Sequence, residues 1–188
     1  TTDTGEAIGN PRHLKKSAKK LRRAQQRLAR CKKGSNRRKK AKQKVARIYE
    51  RVANQRKGFC HRTSRELVNR FQRIAVENLN ILGLSRGFLA KHVLDACWGT
   101  FIFQLTYKAE NAGRTLVKVN PAGTSQTCPN CGRIRKKELS ERIHDCPCGL
   151  VLNRDQASAI VIRKRAFRPS RGEELRLPVS KGKRQHPR

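Results

Sequence analysis

Methionine is absent from this sequence, and aromatic residues are scarce: one tryptophan, two tyrosines and six phenylalanines. A chain without an initiator methionine reads as a fragment or a processed product. So few rings make aromatic stacking a minor means of recognition. No apolar run approaches the ~18 residues a helix needs to cross a bilayer, so no helical span is expected. The polar start, TTDTGEAIGN, has no apolar core of a secretory signal. Negative charge is also scarce, with 13 acids against 46 Lys and Arg.

What remains is an excess of positive charge, +33 over 188 residues. Such a charge opposes compaction unless a polyanion neutralises it. Nucleic acid is the expected partner, with a membrane surface as the weaker alternative. The seven cysteines are an odd number. Cys31, Cys60 and Cys97 fall in helical patterns with no obvious neighbour. One metal site in a reducing cytoplasm accounts for this better than a disulfide framework.

The first eleven residues read as a strand end and turn, punctuated by Gly5, Gly9 and Pro11. Leu14, Ala18, Leu21, Ala24, Leu28 and Cys31 then recur at helical spacing. The loop KKGSN follows, with Gly34 as the stop and Asn36 as the expected cap of a second helix bearing Ala41, Val45, Ile48, Val52 and Phe59. Two helices and a short loop predict an antiparallel hairpin. Between residues 12 and 57 its only acid is Glu50. Lys15, Lys16, Lys19, Arg22, Arg23, Arg27, Arg37, Arg38, Lys39, Lys40 and Arg47 are therefore the candidate phosphate contacts.

Further on, Ile74-Ala75-Val76 reads as a buried strand ending at Glu77. A core helix is expected over 88–112, on Leu89, Val93, Leu94, Cys97, Phe101, Leu105 and Ala109. Trp98 and Phe103 are expected to pack within it. TLVKV (115–119) reads as a strand stopped by Pro121, and 156–166 as a helix. The tail from Arg168 reads as basic and disordered.

The densest chemistry lies in TSQTCPNCG (124–132) and CPCGLVLNRD (146–155). Cys128, Cys131, Cys146 and Cys148 form two close pairs across a polar loop, the two knuckles of a zinc ribbon. The second pair is C-P-C, one residue shorter than the usual C-x-x-C, which leaves His144 or Asp145 as a substitute ligand. Asp155 follows at a helix start, where it serves either as a simple cap or as a metal-binding carboxylate. Glu77 divides between a strand-end surface acid and a ligand. The D-T-G at 3–5 has neither an apolar flank nor a second copy, which excludes an aspartic protease.

Taken together, GEAIGNPR (5–12), IAVENLNI (74–81), VNPAGTSQTCPNCG (119–132), CPCG (146–149) and NRDQASAIVI (153–162) resemble the C-terminal part of the OrfB/TnpB proteins of bacterial insertion sequences, relatives of type V CRISPR effectors. The resemblance covers about residues 5–166. It implies an α/β, RNase H/RuvC-like nuclease fold, partial here, with a basic helical hairpin and a zinc-ribbon insertion. The implied boundaries are a RuvC remnant at 1–11, the hairpin at 12–70, core at 71–123, ribbon at 124–150, a C-terminal RuvC helix at 151–167 and the tail at 168–188.

The activity it implies is RNA-guided cleavage of DNA with Mg²⁺, alongside a structural zinc. The partners are guide RNA and target DNA, in a bacterial cytoplasm at the nucleoid. The family's second and third acids map onto Glu77 and Asp155. Its first lies in a strand not represented here, and Asp3 is a poor substitute. Asn153 stands where many relatives have an acid, and Ala157 where many have Asn. The expectation is a nucleic-acid-binding portion of a nuclease that does not cut efficiently as this polypeptide alone. The alternatives are a non-catalytic binding remnant and, more remotely, a ribosomal or transcription-type zinc-ribbon protein.

Overall fold

A computed structural model describes residues 1–84, 86, 97–138 and 140–167. The chain divides into two compact units. One contains Thr1–Gly9, Arg73–Leu79 and the chain from Leu116 onward; the other contains Asn10–Gln72 and Asn80–Thr115. Leu89, Val93, Leu94 and the tail from Arg168 lie outside the described residues.

In the second unit, α1 (His13–Ala29) and α2 (Asn36–Arg70) form the expected hairpin. Its core is thin. Leu21, Ala24 and Ile48 are buried, with Leu14 and Val45 packed against them. At roughly 1.5–3 kcal/mol for each large apolar side chain fully buried, so narrow a stripe leaves little margin against like-charge repulsion. Polar ties assist it. Gln25 Nε2 donates to Tyr49 Oη at 3.1 Å. Arg38 Nη1 donates to the carbonyls of Leu28 (3.1 Å) and Cys31 (3.2 Å), tying the C-terminal end of α1 to the start of α2.

The cap of α2 is Ser35 rather than Asn36: its Oγ accepts from Arg38 N at 3.2 Å. Both residues can cap, and the extended backbone at position 35 settles which one does.

The short helix α3 (Ile81–Leu84) and the helix α4 (Trp98–Asn111) complete this unit. α4 lies on the C-terminal half of α2. Val52, Cys60 and Val68 of α2 and Leu105 and Ala109 of α4 are almost wholly buried. Trp98 and Phe103 depart from expectation, at 44% and 69% exposed. Leu105 and Ala109, one helical turn apart, take the buried face, and Phe103 is turned away from it. Cys60 and Cys97 also prove to be neighbours, the Cys60 Sγ lying 4.0 Å from the Cys97 carbonyl oxygen.

In the first unit, β1 (Arg73–Glu77) pairs with β2 (Thr115–Val119). Thr115 N donates to Gln72 O at one end and Asn78 N to Val119 O at the other. Residue numbers rise together along the pair, so the strands are parallel. β1 is half-buried rather than buried, and Arg73 at its start is exposed.

The final helix, α5 (Arg154–Ala166), starts two residues earlier than its periodicity suggests and packs against β1. It gathers the unit through its basic side chains. Arg163 pairs with Asp3 at 2.6 Å. Lys164 Nζ donates to Pro129 O at 2.7 Å, and Arg165 Nη1 to the carbonyls of Asn120 (3.1 Å) and Ala122 (2.7 Å). The Arg73 guanidinium stacks over the Phe167 ring at 4.2 Å.

Candidate metal centre and carboxylates

Two tight turns build the cysteine cluster. In the first, Cys128 N donates to Arg133 O at 2.8 Å and Gly132 N to Cys128 O at 3.0 Å. In the second, Cys146 N donates to Leu150 O at 3.1 Å and Gly149 N to Cys146 O at 2.9 Å. Gly132 and Gly149 close these turns at φ values of 73° and 88°, a region costly for side-chain-bearing residues. The second turn joins β3 (Ile143–Asp145) and β4 (Val151–Asn153), an antiparallel pair with His144 opposite Leu152. Leu150 and Leu152 pack behind the sulfurs.

All four Sγ atoms lie within 4.8 Å of one another. Cys128 and Cys148 are 3.7 Å apart, Cys131 and Cys146 3.6 Å. A disulfide needs about 2.05 Å. A tetrahedral ion with bonds of about 2.3 Å to sulfur has S···S edges of about 3.8 Å. The cluster therefore has the dimensions of a four-thiolate metal site, and both cysteines of the short C-P-C knuckle reach it.

The thiols already differ in acidity. The Cys148 thiol is pulled down to about 6, first by the backbone N–H of Leu150 and then by the Asn130 amide, whose Nδ2 lies 3.7 Å from its sulfur. Burial raises Cys128. Crowded sulfurs cannot all carry charge together without a cation, and a divalent ion removes that conflict.

His144 and Asp145 are not ligands in this arrangement. His144 is buried, and its Nδ1 is engaged by Lys137 Nζ, which also donates to Ser125 O at 2.9 Å. Asp145 is exposed.

Glu77 closes β1, half-buried, and its Oε1 accepts a 2.6 Å hydrogen bond from the buried Thr124 Oγ1. No cation among the described residues pairs with it. Asp155 is exposed in the first turn of α5 but is not the cap. Asn153 is, its Oδ1 accepting from Asp155 N at 2.9 Å. The Asp155 carboxylate is thus left available. Contact between β1 and α5 brings the two supporting elements together. Among the described residues no third acid joins them: the only cluster of three or more metal-ligating groups is the four cysteines. Asp3 is held by Arg163.

Of the candidate phosphate contacts, Lys15, Lys16, Lys19, Arg22, Arg23, Arg27, Arg37, Lys39, Lys40 and Arg47 are exposed. Arg38 is half-buried and committed to the hairpin loop. Sequence reasoning overlooked Thr124 as a partner of Glu77 and the clamps formed by Lys164 and Arg165. The first lay inside the TSQTC motif, where attention goes to the cysteine. The second has no local signature.

Fold and cysteine cluster together define a helix-and-strand protein with a four-cysteine ribbon inserted between β2 and α5. A cryo-EM structure of a Cas12f1–sgRNA–target DNA complex contains a similar chain. The similarity has a TM-score of 0.59 at 19% identity and covers 84% of this chain and 43% of that one. Residues 1–86 match the OrfB_IS605 family, described as probable transposase, and residues 98–162 match the Cas12f1-like TNB domain.

Among relatives, a Streptomyces pristinaespiralis protein with the provisional name RNA-guided DNA endonuclease is 38% identical over 162 residues, covering 85% of this chain. The TnpB-like protein L79 of Acanthamoeba polyphaga mimivirus is 30% identical over 143 residues, covering 72% of this chain. This chain spans 40% of the first relative and 27% of the second. It belongs to the OrfB/TnpB family. Among the described residues, no helix is long and apolar enough to cross a membrane.

Proposed function

We propose that this chain is the nucleic-acid-binding, C-terminal portion of a transposon-encoded, RNA-guided DNA endonuclease with a RuvC-like core. In this reading, Glu77 and Asp155 supply two of the carboxylates that hold Mg²⁺. The hairpin holds guide RNA and target DNA by their phosphates, at the bacterial nucleoid. A structural zinc ion closes the ribbon. The sequence boundaries at 12–70, 71–123, 124–150 and 151–167 are the functional divisions of that enzyme.

The observation that carries the reading is the state of Glu77. It is a half-buried carboxylate that no cation among the described residues neutralises, in a chain of net charge +33, on a strand packed against the helix that bears Asp155. Its partner is a neutral hydroxyl, which leaves oxygen lone pairs for a hard cation. When bound, such ions activate water and stabilise the leaving oxygen of a phosphodiester. Among the described residues no third acid joins Glu77 and Asp155, and Asp3 is committed to Arg163. The 188-residue polypeptide is therefore expected to bind nucleic acid without cutting it efficiently. A non-catalytic remnant or regulator of the same family is the second reading, favoured by that same Asp3–Arg163 pair.

The test is binding and cleavage by the purified chain. Affinity for RNA and DNA should fall steeply with salt, with a log–log slope of several units for six or more phosphate contacts. A salt-insensitive affinity would remove the hairpin from the reading. Strong Mg²⁺-dependent cleavage, abolished by Glu77→Ala, would show that the polypeptide is a nuclease by itself.

A further inference from the structure

We infer that Thr124 is a positioning residue: it fixes the Glu77 carboxylate for cation binding and ties that carboxylate to the cysteine ribbon. The inference rests on the reading of Glu77 as a metal ligand given above.

Thr124 is 4% exposed, and its hydroxyl stands 2.6 Å from Glu77 Oε1. The same oxygen lies 3.1 Å from Pro121 O. A hydroxyl has one proton to donate, and the short bond to an ionised acceptor is the stronger of the two. The proton therefore belongs to Glu77. A bond to one carboxylate oxygen restricts rotation of the side chain and leaves the second oxygen to face a cation.

The loop carrying Thr124 is itself well determined. Asn120 Oδ1 accepts from Ala122 N at 2.9 Å, and the Thr127 amide and hydroxyl both donate to Gly123 O, at 3.0 and 2.8 Å. Arg165 of α5 holds the Asn120 and Ala122 carbonyls. Four residues beyond Thr124 the chain enters the metal cluster at Cys128. Lys137, within the ribbon, returns to the Ser125 carbonyl at 2.9 Å. Thr124 is thus anchored from α5 on one side and from the ribbon on the other, and it passes that anchorage to Glu77.

Residues that orient a ligating carboxylate are often worth about 10–100-fold in metal affinity. Mn²⁺, as a paramagnetic probe of the Mg²⁺ site, reads this without any cleavage step. Titrated into the zinc-loaded 188-residue chain, Mn²⁺ should broaden the NMR signals of Glu77 and Asp155. Thr124→Ser should leave the midpoint within about twofold. Thr124→Val should raise it about 10-fold, with one zinc per chain retained, and Thr124→Ala substitutes where valine disturbs the loop. Glu77→Gln should abolish the broadening.

If Glu77→Gln removes Mn²⁺ binding while Thr124→Val and Thr124→Ala bind it as the unaltered chain does, the positioning role is overturned and the metal-ligand reading stands. If Glu77→Gln changes nothing, the metal-ligand reading fails and the role of Thr124 fails with it.

Discussion

Lys108 of α4 is buried against α2, where its Nζ donates 2.7 Å hydrogen bonds to Ser64 Oγ and to the His61 carbonyl. Burial, followed by the nearby Arg65, lowers its pKa from the ordinary lysine value. A buried ammonium is costly unless satisfied, and removing it breaks two charge-assisted hydrogen bonds and leaves a cavity where the side chain stood. Lys108→Ala should therefore destabilise the helical unit by about 2–4 kcal/mol in urea unfolding, while Lys108→Met, which keeps the stem, should cost less.

Cys60 gives a pH signature to the same interface. Its thiol is raised to about 11, first by burial and then by Cys97. The ordinary thiol value, taken for the unfolded chain, is 9.0. Between these values the folded state holds a proton that the unfolded state has released, so stability falls as pH rises from 9 to 11. The expected loss attributable to Cys60 is about 2–3 kcal/mol. Comparing Cys60→Ala with the parent chain at pH 8 and pH 10.5 isolates it, since the alanine variant lacks that dependence. Equal pH slopes in the two chains would count against the assignment.

The two neighbours at the start of α5 should separate cleanly. Asn153→Ala removes the cap and should cost about 1 kcal/mol. Asp155→Asn leaves the cap intact and should shift the melting temperature little, yet weaken Mn²⁺ binding. A stability loss for Asp155→Asn as large as that for Asn153→Ala would mean that Asp155 serves the helix rather than a metal.

Arg38 and Lys39 are adjacent in sequence and divided in role. Arg38→Gln should lower hairpin stability, because the end of α1 loses the guanidinium that ties its Leu28 and Cys31 carbonyls to α2. Lys39→Gln should leave stability unchanged and reduce the salt slope of RNA binding by about 1. Melting curves and filter binding at several ionic strengths would show the division.

For the ribbon, one zinc ion per chain is expected, displaced by strong chelators with loss of the β3–β4 pair. Cys148→Ser should lose zinc, whereas His144→Gln should retain it, since His144 is engaged by Lys137. Loss of zinc from His144→Gln would mean that the histidine is a ligand.

Much of this architecture is legible in the sequence because its signals are local. Leu21, Ala24 and Ile48 advertise a helical stripe, Ile74-Ala75-Val76 a strand, and paired cysteines a metal site. The failures have a common physical origin. Trp98 and Phe103 lie on a helix whose buried face is decided by contact with α2, which periodicity within one segment cannot identify. Cys60 and Cys97 meet through tertiary packing over a long stretch of chain. Ser35 and Asn36 are both competent caps, and backbone conformation chooses between them. The Thr124–Glu77 bond joins residues whose neighbourhood exists only once β1 and the loop after β2 are assembled.

The length of α2 has a mechanical consequence. It runs unbroken for 35 residues, about 52 Å at the helical rise. α1 lies along its first half through Ile48 and Val45, and α4 along its second half through Cys60 and Ser64. It contains no proline and no described break between those two grips. The helix is therefore a stiff strut: a polyanion that pulls on the lysines of one half moves the bed of α4 in the other, with no joint between to absorb the displacement.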